Sequence, residues 1–127
     1  MIMILRIERG WAGHFICADR CMFRRNTLIL SNIEGKDSIV VSTIGGMRLL
    51  DGDGLDTIGA GGRYYETMAF KAIKEGPYWE ADVSEEISFD SEWAICADHY
   101  SMLPEDVDNK ANQMHEIVVK ELMDKMK

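Results

Sequence analysis

At 127 residues, with 46% apolar and 28% charged side chains, the chain has the composition of one globular domain spanning 1–127, and no apolar run reaches membrane-spanning length. Fourteen Lys and Arg against 22 Asp and Glu leave a net charge of −8, which disfavours direct contact with nucleic acid and favours cationic partners. Three cysteines, an odd number, read as free thiols in a reducing compartment; "MIMIL" runs into Arg6, Glu8 and Arg9 with no signal-peptide pattern, so a cytoplasmic protein is expected.

"MIMILRI" reads as a short strand with Ile2 and Ile4 opposed to Met3, Leu5 and Ile7. "HFICADRCMFRRN" (14–26) reads as a strand leading to a basic tip, with its thiols tucked into the core. "NTLILSNIEGKDSIVVSTIGG" has the form of a β-hairpin, two β-rich runs around the turn "EGKD". From Gly45 to Gly62 glycines and aspartates crowd together with little periodicity, which predicts an exposed, flexible loop over about 45–62.

A second hairpin follows, turning at "KEGP". In its second arm Glu80, Asp82, Glu86, Asp90 and Glu92 all fall on even positions, while Ala81, Val83, Glu85, Ile87, Phe89, Ser91 and Trp93 are odd. A period of two predicts a single acidic face opposite a buried one. Between Glu75 and Asn109 there are eleven carboxylates and no Lys or Arg. Finally, Val107, Ala111, Met114, Val118 and Leu122 recur at steps of three and four behind Pro104, predicting an amphipathic helix over about 104–126. The expected fold is α+β: a mostly antiparallel sheet of hairpins with one C-terminal helix packed on it.

Four constellations bear on function. His14 and Cys17 (H-x-x-C) with Cys96 and His99 (C-x-x-H) would supply the two-Cys, two-His set that zinc prefers, if turns brought the pairs together. Cys17, Cys21 or Cys96 with a histidine base and Asp19 or Asp98 as orienter could make a thiol nucleophile, but no hydrolase signature surrounds any of the three; the bland reading is buried thiols, no cofactor and no enzyme. Arg63 and Tyr64 after the Gly-rich loop, with Trp79, Arg24 and Arg25, could hold the phosphates and base of a nucleotide. The arginines have a competing use, pairing with carboxylates within the chain or across a homo-oligomer.

The fourth is the acidic face: Glu80, Asp82, Glu86, Asp90 and Glu92 at a pitch of about 6.6 Å per two residues, comparable to successive phosphates, would suit a basic groove. The bland reading is a solvated strand face, but the absence of compensating cations raises the functional one.

"RGWAGHFICADRCMFRRNTLI", "RYYETMAF" and "YWEADVS…ISFDSEWA" together resemble a group of small uncharacterised proteins carried by phages and other mobile elements. That resemblance implies a setting rather than an activity: inhibitors of host defence, some of them nucleic-acid mimics and others sponges for signalling nucleotides. The leading expectation is a non-enzymatic acidic protein, of the anti-defence kind, that occludes a basic, nucleic-acid-binding surface on a host protein. A nucleotide binder and a zinc or thiol protein are the alternatives.

Overall fold

The structure, a computed structural model, describes residues 3–9, 21–48, 55–56, 65–91 and 104–127. Its elements are β1 (Ile4–Glu8), β2 (Cys21–Ser31), β3 (Ile39–Arg48), β4 (Leu55–Asp56), β5 (Tyr65–Glu75), β6 (Tyr78–Ile87) and the helix α1 (Pro104–Met126). Among the described residues the strand pairings are all antiparallel, in the order β1-β2-β3-β5-β6, with β4 added beside β3. The expected α+β architecture is the observed one.

Both hairpins close where the turn residues demand it. Gly35 between β2 and β3 adopts φ +81°, and Gly76 between β5 and β6 adopts φ +60°, a left-handed region that costs glycine nothing. The flexible loop expected over 45–62 is corrected where the stretch is described, at 45–48 and 55–56. Gly45 and Gly46 are buried within β3, and Leu55–Asp56 pair with Met47 and Arg48. β3 pairs with β5 as far as Gly45 and with β4 from Met47 onward, so Gly46, at φ +61°, is the joint where the strand changes partner. The remainder of that stretch lies outside the described residues. A basic tip after "HFICADRC" is likewise corrected: Arg24 and Arg25 sit inside β2, paired with Ile44 and Thr43, while Cys21 is buried as expected.

The sheet carries a core on each face. On one side α1 lays Ala111, Met114, Val118, Val119, Leu122 and Met126 on Ile29, Ile39, Val41, Tyr65 and Ala69. Each large apolar side chain buried there contributes about 1.5–3 kcal/mol. On the other face Leu28, Val40 and Ala72 pack with Leu30, Trp79 and Ala81. Arg9, just beyond β1, donates from Nε to Asn26 Oδ1 (2.9 Å) and from a terminal nitrogen to the Trp79 carbonyl on β6 (2.6 Å). The two outermost strands of the sheet order are thus bridged by one side chain, which requires the sheet to curl strongly about this second core.

Candidate functional site

Two features stand out as candidates: a polar seam beneath α1 and the acidic strand β6. The seam centres on His115, fully buried in the middle of the helix's apolar stripe. Thr27, Thr43 and Thr67 project toward it from β2, β3 and β5. His115 Nε2 lies 2.7 Å from Thr27 Oγ1, its Nδ1 lies 2.8 Å from Thr43 Oγ1, and Thr43 and Thr67 are 2.7 Å apart. Thr27 in turn donates to Glu8 Oε2 at 2.9 Å.

Above the seam, Arg25 donates to Glu8 and Glu116, and Arg6 donates to Glu116 through both terminal nitrogens. The Arg6 bond, the largest influence, and the Arg25 bond together hold the Glu116 carboxyl at about 2 against the cost of its burial. Burial, reinforced by the nearby Arg25 charge and only partly opposed by Glu8 and Glu116, pushes His115 down to about 4. His115 is therefore neutral at physiological pH, with both nitrogens occupied and no exposed atom, which makes it a structural group that no substrate can reach.

Sequence reasoning missed this seam. The detectable signal was a histidine standing beside Met114 in an apolar stripe, and three threonines on strand positions that face the helix.

The acidic strand departs from its expected geometry. Pairing of β5 with β6 runs Ala69↔Ile87 and Phe70↔Glu86, then jumps to Lys71↔Asp82 and Ala72↔Ala81. Three residues, Val83, Ser84 and Glu85, are therefore extruded on β6, and an odd insertion inverts which side each parity faces. Odd residues Trp79 and Ala81 pack into the second core, whereas odd residues Ile87 and Phe89 pack into the helix-side core. Glu80 and Asp82 accordingly lie on one face of the sheet and Glu86 on the other, so the expected single row of carboxylates is corrected to two short groups.

Two members of the row are also engaged. Asp82 Oδ1 accepts from Ser84 N (3.1 Å) and Ser84 Oγ (2.6 Å), which closes the bulge and lowers its pKa. Asp90 accepts from Lys125 Nζ at 3.1 Å, and Glu121 receives the N–H groups of Asp90 and Ser91 and the Ser91 hydroxyl. Burial works against its ionisation, yet the Ser91 hydroxyl, the Asp90 N–H and Lys125 hold Glu121 at about 2. Glu92 lies outside the described residues. Glu80 and Glu86, with Glu85 on the bulge, make no ion pair among the described residues.

Of the nucleotide-binding set, Arg25 is committed to Glu8 and Glu116, and Trp79 packs against the second core with Lys74 Nζ 6.0 Å from its ring centre. Arg24 lies on the opposite face of β2 from Arg25, by strand alternation. Arg63 and Tyr64 lie outside the described residues. So do His14, Cys17, Cys96 and His99; among the described residues no three His, Cys, Asp or Glu side chains gather as a metal site. No helix among the described residues is long and apolar enough to cross a membrane.

No protein-family model matches the sequence, and neither a curated protein nor a solved structure shows significant similarity to it.

Proposed function

We propose that the chain is a non-enzymatic binding protein that presents the acidic edge strand β6 to a basic surface on another protein. One observation carries this reading. Glu80, Glu85 and Glu86 are exposed, have no ion-pair partner among the described residues, and stand on a strand with Tyr78 (70% exposed) and Val83 (69%) between or beside them. Arg9 lies close enough to Glu80 to interact with its charge, whereas exposed carboxylates such as Glu85 and Glu86, without an ion pair among the described residues, gain from a cationic partner, and an exposed aromatic on the same strand supplies the anchoring contact typical of interfaces. The polar cluster around His115, the best formed among the described residues, is by contrast sealed from solvent. The resemblance to mobile-element proteins makes a nucleic-acid-binding host protein the expected partner, with inhibition by occlusion as the outcome.

The test is capture of partners from host extract on the immobilised protein at low salt, followed by affinity measurement with the captured protein across a salt series. Affinity should fall as salt screens the charges, and Glu80→Lys with Glu86→Lys should lower it at least tenfold. Because these two residues face opposite ways, the single variants also report which side is used. Unchanged affinity of the double variant would defeat the proposal.

A further inference from the structure

We infer that the outer edge of β1 is a self-association surface, on which a second copy of this chain adds its own β1 in antiparallel register with Arg6 opposite the second copy's Glu8. Three independent observations converge there. The first is backbone polarity. Arg9 N donates to Asn26 O, and Asn32 N donates to Met3 O, both in the pairing frame that sets Ile4 against Ser31. Odd residues of β1 therefore turn their main-chain groups toward β2. Even residues Ile4, Arg6 and Glu8 turn theirs to the outer edge, where no described strand receives them.

The second is where exposed apolar surface collects. Of the seven large apolar side chains exposed among the described residues, four flank this edge. Met3 (42%), Leu5 (47%) and Ile7 (40%) line one face of β1. On the helix side Ile117 (40%) opens onto a groove of about 480 Å³ between β1 and α1, lined by Arg6, Val119 and Met123. An edge whose backbone no described strand pairs, lying between two apolar flanks, is a template for another strand.

The third is charge. Antiparallel pairing about a two-fold axis at Ile7 sets Arg6 against the second copy's Glu8 and Glu8 against its Arg6; both side chains keep their partners within their own copy, Arg6 with Glu116 and Glu8 with Arg25 and Thr27, so the pairing joins two existing charge networks end to end. The outward-facing even residues then hydrogen-bond, and the two Ile7 side chains touch in the close, non-hydrogen-bonded pair. Shifting the axis by one residue to Arg6 would oppose two arginines, so the charges select the register. Both copies of α1 would then lie on the same face, and each Ile117 groove would be covered from across the axis.

Sedimentation equilibrium of the full chain from micromolar to millimolar concentration should give twice the 14.4 kDa monomer mass at the upper end. That association should survive salt that weakens binding by acidic residues, so it is distinguishable from the β6 proposal. Ile7→Lys should leave a folded monomer by circular dichroism. Should that variant fail to fold, cysteine placement still decides the matter. Ile7→Cys, opposed to itself at a Cα separation of about 4.5 Å, should oxidise with diamide to a covalent dimer, since that spacing suits a disulfide. Leu5→Cys, which faces position 9, should cross-link at least tenfold less, and the wild-type chain sets the background. A monomer at every concentration, or preferential cross-linking through Leu5→Cys, would overturn the inference.

Discussion

Thr27 Oγ1 lies 2.7 Å from His115 Nε2 and 2.9 Å from Glu8 Oε2, and that pair of contacts fixes the direction of the hydrogen bonds that join Thr67, Thr43, His115, Thr27 and Glu8. The Glu8 carboxylate only accepts, because Arg25 and Thr27 outweigh burial and keep it ionised. Thr27 therefore spends its one proton on Glu8 and must accept from His115 Nε2–H. A neutral imidazole then offers Nδ1 as acceptor, so Thr43 donates to it and Thr67 donates to Thr43. The seam is a one-way chain from Thr67 to Glu8.

This arrangement makes stability pH-dependent with a definite sign. His115 is lowered to about 4 from an ordinary 6.5, so between those values the unfolded chain binds more protons than the folded one. The stabilisation is complete above pH 6.5 and is lost as pH falls toward 4, by about 3 kcal/mol at most. Glu116 and Glu121, both lowered from 4.5, add a second loss between pH 4.5 and 2. Glu116, with its side chain 45% exposed, adds only about 1 kcal/mol after screening. Chemical denaturation from pH 7.5 to 4 should show the first decline in the wild-type chain and a much flatter profile in His115→Gln.

Thr43 serves two partners, so removing its hydroxyl strands both. Thr43→Val should cost about 1–3 kcal/mol, because the buried Nδ1 and the Thr67 hydroxyl each lose a bond. Thr43→Ser keeps the hydroxyl and should recover most of that loss. Equal destabilisation by Val and Ser in urea melts would mean that packing, not the chain of hydrogen bonds, sets the effect.

Gly46 isolates a backbone cost. A Cβ there would meet Met22 and Tyr65 at an ordinary 3.6 Å, so space is available and the strain comes from φ +61° alone. Gly46→Ala should lower stability by about 1–2 kcal/mol, and Gly46→Asn by less, since asparagine tolerates the left-handed region. A neutral Gly46→Ala in thermal unfolding would show that β3 changes partner without that conformation.

Glu121 ties the segment after β6 to the helix through Asp90, Ser91 and Lys125. Glu121→Ala should destabilise the protein by about 1–3 kcal/mol and speed amide exchange at Asp90 and Ser91. Unaltered exchange at those two amides would contradict the anchoring role.

The elements that were legible in the sequence are those whose signal is local. The helix over 104–126 follows from its apolar stripe, and each hairpin from a glycine placed where a positive φ is required. What was not legible depends on neighbours. Within the extruded Val83–Glu85 only Glu85, a charge on the otherwise apolar odd parity, breaks the alternation, and a single exception does not reveal a three-residue extrusion opposite Phe70 and Lys71. Gly45 has poor strand propensity, but pairing with Phe23 and Tyr65 overrides it. His115 is an ordinary helix residue until the threonines of three other strands are brought beneath it.

The three-residue excursion on β6 has a further consequence. Before it the strand is a wall of one hydrophobic layer, and after it a wall of the other. Neither layer can be dismantled without removing a strand that the other needs, so their melting is coupled through a covalent chain of a few residues. The two layers should therefore unfold as one cooperative unit, with the amides on either side of Val83–Glu85 sharing the protection of the whole sheet.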